Sequence, residues 1–263
     1  MKIFFSEHQS IYSTYTFSYG VYCTREPGDN LSDIYANGFL PFTGDLNIKK
    51  KVFYLARSVR VVLNKFEDVS ENRRVNKLVQ PLGIEIIPSE KSTFNFNDPQ
   101  FLSFCTEYAA DRFSGGRMDD ARLKYIFNSS TLTHIFTFRS KEKIFGYAFF
   151  AIDKNMLHFW YSFYDVYYLK SHSLGKWIMW RTIKWAKENG LNYVYLGTCY
   201  NTKALYKVRD FKGAEFFDGM RWNKNIYLLK HLCQKDKEKT EPQFDNLKSI
   251  NEKTKSIFNE LYE

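Results

Sequence analysis

Residues 158–215 read HFWYSFYDVYYLKSHSLGKWIMWRTIKWAKENGLNYVYLGTCYNTKALYKVRDFKGAE. The aromatic run at 157–164 has strand character. Apolar residues then recur at near-helical spacing from Leu174 to Trp185, and Gly190 stands where a left-handed helix end belongs. A second apolar run follows at 193–196. The pattern predicts a strand, a crossover helix and a parallel strand.

The carboxyl ends of these two strands are the expected place for a site. Parallel strands joined by a crossover bind ligands at that edge of the sheet. Tyr164 and Asp165 end the first strand, and Gly197 and Thr198 end the second. We therefore expect these four residues to lie side by side. An ordinary αβ unit with a buried aromatic core has the same periodicity, so the pattern by itself leaves both interpretations open.

The remaining elements are predicted upstream and downstream of this unit. Upstream, we expect a strand at 52–63, a helix from Ser70 to about Val79, a short strand at 84–87 and a linking segment at 88–97. Asp98-Pro99 predicts a helix start, with a stop at Gly115-Gly116 and a second helix at 118–127. Strands at 133–139 and 145–152 then form a meander with the strand at 157–164. Downstream, a helix at 202–208 and strands at 215–221 and 226–229 complete the order.

This order of elements is that of the GNAT acyltransferase fold. The predicted class is α+β or α/β: a GNAT-like mixed central sheet flanked by helices, with a smaller α+β N-terminal domain and a C-terminal helical tail. The predicted domains are residues 1–90, 91–232 and 233–263. The tail has amphipathic spacing at Leu247, Ile250, Ile257 and Leu261.

Composition limits the class of protein. Of the 263 residues 44% are hydrophobic, which is typical of a globular chain and not of a disordered one. No apolar run approaches the length of a membrane span, and the start is too polar for a signal peptide, so we expect a cytoplasmic protein without a membrane partner. The four cysteines lack a C-x-x-C pair, which favours reduced, buried thiols over a metal centre. No metal and no cofactor are predicted.

Charge favours a polyanionic partner. The formal net charge is +9, and nine basic residues lie between positions 47 and 77 against three acidic ones. Basic residues interleaved with aromatics are typical of nucleic-acid surfaces. A solvated charged face would show the same composition, so this alternative stays open.

Several segments together resemble one enzyme family. SFYD at 162–165, SLG at 173–175, YLG at 195–197 and KALYKVRDFKGAE at 203–215 resemble the C-terminal domain of the aminoacyl-tRNA–protein transferases, which are the arginyltransferases and the bacterial leucyltransferases. Upstream, IYANGFLPFTG at 34–44 and the strand and basic stretch at 54–77 resemble the N-terminal part of that family. Of the family's cysteine cluster only Cys23 is present, so metal dependence is not carried over.

The resemblance implies a reaction and its partners. An amino acid would pass from arginyl- or leucyl-tRNA to the N-terminal α-amine of a protein or peptide with an acidic N-terminus. An α-amine has a pKa of about 8 and the ester is activated, so alignment can supply most of the rate without a Ser-His-Asp or Cys-His constellation. We expect a monomer that binds aminoacyl-tRNA and an acceptor with a free N-terminus.

The candidate residues fall into three roles. Asp165 is the candidate catalytic residue, which would hold the incoming ammonium and help to remove its proton; a turn-forming role is equally open. The candidate substrate-binding residues are Arg73, Arg74, Lys77, Tyr161, Ser162, Tyr164, Tyr167, Ser173, Gly175, Gly197 and Thr198. The candidate tRNA-binding residues are Lys170, Lys203, Tyr206, Lys207 and Arg209. Among them the tyrosines offer stacking faces and the basic residues offer charge to phosphates.

Two other functions remain open. One is an acetyl-CoA-dependent N-acetyltransferase of GNAT type. In that fold a glycine-containing loop binds the pyrophosphate, whereas this chain has Lys170 and Ser173 in the corresponding pattern. The other is a tRNA- or RNA-binding module on a degenerate GNAT scaffold, without catalysis.

Overall fold

The computed structural model describes residues 1–11, 16–113, 118–141 and 143–236, with only the backbone at 7–11 and 16–19. The chain divides into two compact units. The first comprises residues 1–59, 198–205 and 215–263, and the second comprises residues 60–197 and 206–214. The predicted boundary between residues 90 and 91 falls inside the second unit. The predicted helical tail and the predicted stop at Gly115-Gly116 lie outside the described residues.

The first unit is built on an antiparallel sheet. Its strands are β1 (Lys2–Ile11), β2 (Thr16–Thr24), β3 (Phe39–Pro41) and β4 (Val52–Leu55), in the order β1-β2-β4-β3. Helix α1 (Leu31–Ala36) precedes β3, and Gly38, at φ 85°, follows its C-cap Asn37. The unit also holds the hairpin of β11 (Ala214–Phe217) and β12 (Trp222–Asn223), and helix α8 (Ile226–Lys235).

The second unit is built on a mixed sheet flanked by helices. Its strand order is β5 (Ser58–Val62), β10 (Tyr193–Thr198), β9 (Met156–Tyr164), β8 (Lys143–Asp153), β7 (His134–Ser140) and β6 (Glu85–Glu90). Strands β6 to β9 run antiparallel in sequence, whereas β10 pairs parallel to β9. The helices are α2 (Ser70–Val79), α3 (Pro99–Arg112), α4 (Asp120–Asn128), α5 (Tyr167–His172), α6 (Leu174–Glu188) and α7 (Tyr206–Arg209).

The predicted meander and crossover are confirmed. Strands β7, β8 and β9 form the meander, and α5 and α6 connect β9 to the parallel strand β10. Gly190 has a φ of 74°, the left-handed conformation expected after α6. The coarse class, α+β with a large mixed sheet, is therefore confirmed, and its assignment as GNAT-like stays a prediction.

Neighbouring residues of the central strands explain why helices pack on both sides of the sheet. Successive side chains of a strand point to opposite faces. Phe149 joins the buried cluster that contains Phe101 of α3 and Phe127 of α4. On the other face, Phe136 packs against Trp185 of α6, with ring centroids 4.6 Å apart.

Two predicted strands and one predicted linking segment were wrong. The predicted strand at 52–63 is two strands, β4 and β5, which belong to different sheets. The alternation of residues continues from β4 into β5. A period of two shows which side chains share a face, but it does not show which strand each segment pairs with.

The predicted link at 88–97 is partly strand. β6 continues through Pro88 to Glu90, and it pairs with β7 from Glu85 opposite Arg139 to Glu90 opposite His134. Pro88 has no N–H to donate to a neighbouring strand. This is tolerated because β6 is an edge strand, which pairs with β7 on one side only.

The predicted final strand at 226–229 is the start of helix α8. The Asn225 side chain accepts a hydrogen bond from the Leu228 amide at 3.0 Å, which caps the helix. A short apolar run fits a strand and a helix equally well by periodicity. The asparagine cap was the signal that distinguished them.

A chain of alternating charges joins three segments of the second unit. The Lys176 ammonium, at the start of α6, lies 2.8 Å from a Glu71 carboxylate oxygen on α2 and 2.8 Å from an Asp210 carboxylate oxygen after α7. Glu71 also binds Arg74, and Asp210 also binds Arg209. Asp210 is only 3% exposed, so Lys176 neutralises a buried carboxylate. We call these five residues the charge chain.

We predict that Lys176→Met lowers the free energy of unfolding by about 3 kcal/mol, because the buried Asp210 carboxylate loses the Lys176 ammonium and retains the pair with Arg209, which is 69% exposed. Lys212→Met is the matched control. Its 2.7 Å pair with Glu67 is exposed at both ends, so its loss should cost less than about 1 kcal/mol. Urea denaturation of both variants measures the difference. Equal losses would contradict the structural role given to Lys176.

Candidate active site

The two parallel strands part near their carboxyl ends. Their ladder joins three residue pairs, from Tyr193 with Met156 to Tyr195 with His158. β9 then continues to Tyr164 and β10 to Thr198. We call the region beyond the Tyr195–His158 pair the strand gap.

A bulge in β9 lies at the beginning of the strand gap. Phe150 pairs with Phe159 and Phe149 pairs with Tyr161, so Trp160 is an extra residue in β9. A bulge of this kind bends its strand and increases the local twist. It accounts for the divergence of β9 from β10 while β9 stays paired with β8.

A histidine and a lysine flank the strand gap. His158 is 2% exposed, and burial, followed by the nearby Lys207 ammonium, lowers its pKa to about 3. The Lys207 Nζ lies 3.7 Å from the position that a Cβ on Gly197 would occupy. Gly197 itself has a φ of 76°, which favours glycine. The geometry thus places a neutral imidazole and a cation beside the backbone of β10.

The end of β9 packs on the first turn of α6. A Cβ on Gly175 would lie 2.5 Å from the Tyr164 Cζ, so glycine is required for this contact. The Tyr164 ring lies 4.9 Å from that of Tyr108, and the two side chains share a hydrogen bond. Burial raises the pKa of Tyr108. The first turn of α6 therefore packs against Tyr164, whose ring in turn contacts Tyr108.

Ser173 separates α5 from α6. It has φ 53° and ψ 41°, a left-handed conformation that costs a non-glycine residue roughly 1 kcal/mol. Its carbonyl accepts hydrogen bonds from the amides of Lys176 and Trp177. The candidate Lys170 is exposed in the last turn of α5. The sequence had not predicted α5, whose aromatics belong to no clear helical period.

Asp165 occupies a turn and an ion pair. One carboxylate oxygen accepts a hydrogen bond from the Tyr167 amide at 3.0 Å, and the other lies 3.1 Å from the Lys143 ammonium. The turn-forming role that the sequence left open is thus present in the structure. The catalytic role stays a prediction, and Tyr167, 78% exposed, stays a prediction as a substrate contact.

The basic segment lies on α2. Val69 occupies the N-cap position and Ser70 is the first helical residue, which agrees with the predicted helix start. The Arg73 guanidinium donates to the Asp68 carbonyl at 2.7 Å, whereas Arg74 is bound by Glu71 through two hydrogen bonds. Lys77 is exposed. Arg73 and Lys77 share a helix face at the i, i+4 spacing.

The other candidates divide between the two units. Tyr161 and Ser162 are half-buried on β9, and Tyr206, Lys207 and Arg209 lie on α7 of the second unit. Lys203 and Thr198 belong to the first unit. Arg209 is 69% exposed and bound to Asp210. Roles in binding for all of these stay predictions.

Sequence reasoning missed four residues that shape this region: Glu71, Lys176, Asp210 and His158. Lys176 directly follows the SLG motif, which was the one signal available for it. The partners of Lys176 are distant in sequence, and a single histidine in an apolar strand gives no local pattern. In contrast, Trp177 and Trp180 are buried, as favoured by their helical spacing, with indole hydrogen bonds to Asn76 and Asp68.

Comparison with known proteins points to one family. Residues 100–217 match the family model described as "Arginine-tRNA-protein transferase, C terminus". The aspartate/glutamate leucyltransferase of Alkalilimnicola ehrlichii is 28% identical over 178 residues, which cover 64% of this chain and 70% of that protein. Both matches support the aminoacyl-tRNA–protein transferase family for this chain, which is accordingly an enzyme of the transferase class.

Two solved structures are also similar to this transferase. The C-terminal domain of a putative lysylphosphatidylglycerol synthetase from Agrobacterium fabrum is 16% identical, covers 64% of this chain and has a TM-score of 0.43. This chain spans about half of that domain's length, 51%. L-PGS from Bacillus licheniformis is 14% identical, with 77% of this chain and 69% of that one covered and a TM-score of 0.43.

Two further predictions can be compared with the structure. All four cysteines of the transferase are free and buried, as predicted. No helix in the described ranges has the length and apolar character needed to cross a membrane. A cytoplasmic location stays a prediction.

We predict that His158 makes the transferase less stable as the pH falls. Its folded pKa lies below the ordinary value of about 6.5, so between pH 6.5 and 3 the unfolded chain binds a proton that the folded chain does not. Stability falls as the pH drops through this window, by at most about 1.4 kcal/mol per pH unit. His158→Gln should make the dependence of unfolding free energy on pH between 6.5 and 5 shallower.

The control is His231→Gln, an exposed position on α8. His134, whose pKa burial also lowers, is present in both variants, so any difference between them belongs to His158. Chemical denaturation at several pH values measures the slopes. Equal slopes in the two variants would show that His158 is not held neutral by burial.

Proposed function

We propose that this transferase moves an amino acid from arginyl- or leucyl-tRNA to the N-terminal α-amine of a protein or peptide that begins with Asp or Glu. The matched family model is named for arginine-tRNA, and the relative is named as a leucyltransferase of aspartate and glutamate. These names support both donors and an acidic acceptor.

The strand gap is the proposed place for the aminoacyl end of the tRNA. The observation that carries this proposal is the position of Lys207, whose ammonium lies beside Gly197 where β9 and β10 part. A cation there would neutralise a terminal phosphate, and backbone groups of the two strands would bind the aminoacyl group by hydrogen bonds. Tyr164 and Tyr161, at the β9 side, offer faces on which the terminal base can stack.

The proposed chemistry needs alignment more than a strong base. The neutral α-amine of the acceptor attacks the ester carbonyl, the new C–N bond forms, and the C–O bond to the tRNA breaks. The amine proton passes to the ribose oxygen that leaves. Because the ester is activated, a correct approach of the two reactants accounts for most of the rate. Asp165 would hold the acceptor as its ammonium before attack.

Arg73 and Lys77 are the preferred candidates for reading the acidic side chain of the acceptor. Arg74 is bound on two nitrogens by Glu71, which reduces its capacity for a further carboxylate. Arg73 donates to a backbone carbonyl, so its charge is not neutralised by that contact. Lys77 shares its helix face. A guanidinium can grip a carboxylate through paired, charge-assisted hydrogen bonds.

We predict transfer of labelled amino acid from arginyl- or leucyl-tRNA to peptides beginning with Asp or Glu, and little to peptides beginning with Lys. The combined Arg73→Glu and Lys77→Glu variant should lose transfer to acidic peptides by more than tenfold, because the substituted face repels them. Arg74→Gln is the control and should retain most activity. No transfer from any charged tRNA, or acetylation from acetyl-CoA instead, would refute the proposed function.

For Asp165 we predict that Asp165→Asn slows transfer by about 100-fold at unchanged tRNA affinity, the lower end of the range for a lost general acid or base. An asparagine can still accept the Tyr167 amide, so the turn is kept. Lys143→Met removes the ion pair but leaves the carboxylate. If both variants slow transfer equally, Asp165 acts through its ion pair and not on the acceptor.

A further inference from the structure

A basic pocket lies in the first unit, at one end of its four-stranded sheet. It has a volume of about 600 Å³. Its basic lining residues are Lys2, Arg25, Lys49, Lys50 and Lys51. We call these five residues, with the turn at 24–29 between them, the lysine pocket. No candidate residue named above belongs to it.

The basic residues converge because three strand ends are neighbours. Lys2 pairs with Thr24 across β1 and β2, and Thr24 pairs with Val52 across β2 and β4. The Arg25 amide then donates to the Lys51 carbonyl at 3.3 Å. Cations from the start of β1, the end of β2 and the residues before β4 are thus fixed at one edge by backbone pairing.

The two carboxylates of the pocket, Glu26 and Asp29, bind groups of the turn at 24–29 and the N-terminus. Glu26 accepts a hydrogen bond from the Thr24 hydroxyl at 2.8 Å. Asp29 accepts one from the Glu26 amide at 2.8 Å and pairs with the Met1 amino group. These contacts hold the turn, in which Gly28 has a φ of 90°.

Arg25 and the three lysines before β4, in contrast, are not engaged by these carboxylates. The Arg25 Nε donates to the Asp29 carbonyl, not to a carboxylate. Lys49, Lys50 and Lys51 are exposed, and within the described ranges no carboxylate lies at ion-pair distance from them. The pocket therefore presents positive charge that its own acidic residues do not neutralise.

The lining chemistry fits a phosphate backbone. Ammonium groups bind phosphates as point charges, and three consecutive lysines, with Cα atoms about 3.8 Å apart, can reach neighbouring phosphates of one strand. The pocket has no aromatic lining residue on which a base could stack. Contacts of this kind position a nucleic acid without reading its sequence.

We propose that the lysine pocket binds phosphates of the donor tRNA, as a contact of the first unit separate from the strand gap of the second unit. This inference rests on the proposed function, because it takes tRNA as the polyanion. A pocket that binds only backbone suits an enzyme that must hold tRNA by its shape and charge while the aminoacyl end is used elsewhere.

The test compares two triple variants with the same change in charge. The first replaces Lys49, Lys50 and Lys51 by Gln, and the control replaces Lys224, Lys230 and Lys235, exposed residues of the same unit, by Gln. Affinity for uncharged bulk tRNA is measured by fluorescence anisotropy from about 50 to 200 mM KCl. Each phosphate contact contributes about 0.9 to the slope of log K against log salt concentration. Thermal melting verifies that both variants are folded.

The pocket variant should lose about 2 to 3 from the magnitude of the slope and more than tenfold in affinity at low salt, whereas the control should lose less than about 1 in slope. Equal slopes in the two variants overturn the proposal. Saturable binding of inorganic phosphate or pyrophosphate that the pocket variant abolishes, with the tRNA slope unchanged, also overturns it and assigns a small-anion site.

Aminoacyl transfer by the unsubstituted protein is measured in parallel. Pocket-dependent tRNA binding without any transfer would refute the proposed function and support the pocket. Aminoacyl transfer, together with a salt slope of tRNA binding that does not depend on the pocket lysines, would support the proposed function and refute the role of the pocket.

Discussion

The sharing of one ammonium group between two carboxylates is the interaction on which the second unit depends most. Lys176 joins Glu71 of α2 to Asp210 after α7, and both carboxylates bind a second cation. Arg74 and Lys176 hold the pKa of Glu71 at about 2. Arg209 and Lys176 lower the pKa of Asp210 against the opposing effect of burial. Each charge in the chain is thus stabilised by the next one, and three segments distant in sequence become one structure.

The charge chain affects the candidate site because Lys176 lies in the first turn of α6, next to the end of β9. Lys176 follows Gly175, whose backbone lies against the Tyr164 ring at the end of β9. Asp210 lies three residues beyond Lys207, the cation beside Gly197 at the end of β10. Fixing α6 and α7 to each other therefore fixes both sides of the strand gap. A reaction that relies on alignment more than on a strong base requires such rigidity.

The sequence predicted the central pattern because its causes are local. Apolar runs at 157–164 and 193–196, with a helical period between them, were enough for the parallel pair, and the Asp98 cap gave the start of α3. The split between β4 and β5 and the edge strand through Pro88 were not predictable, because both depend on which strand lies alongside. The Glu71–Lys176 contact spans 105 positions, and the bulge at Trp160 depends on the register with β8. The turn at Asp165 was predicted as one of two roles, whereas its ion pair with Lys143 depends on how β8 and β9 pair.

The central claim is that the aminoacyl end of the donor tRNA lies in the strand gap. The most direct test is photo-crosslinking with tRNA that carries an azidoadenosine at its 3′ end, followed by mass spectrometry of the modified peptides. The account predicts crosslinks to β9 between Phe159 and Tyr164 or to the segment around Gly197 and Lys207, with loss of both when unlabelled charged tRNA competes. Competed crosslinks confined to other parts of the chain would contradict it.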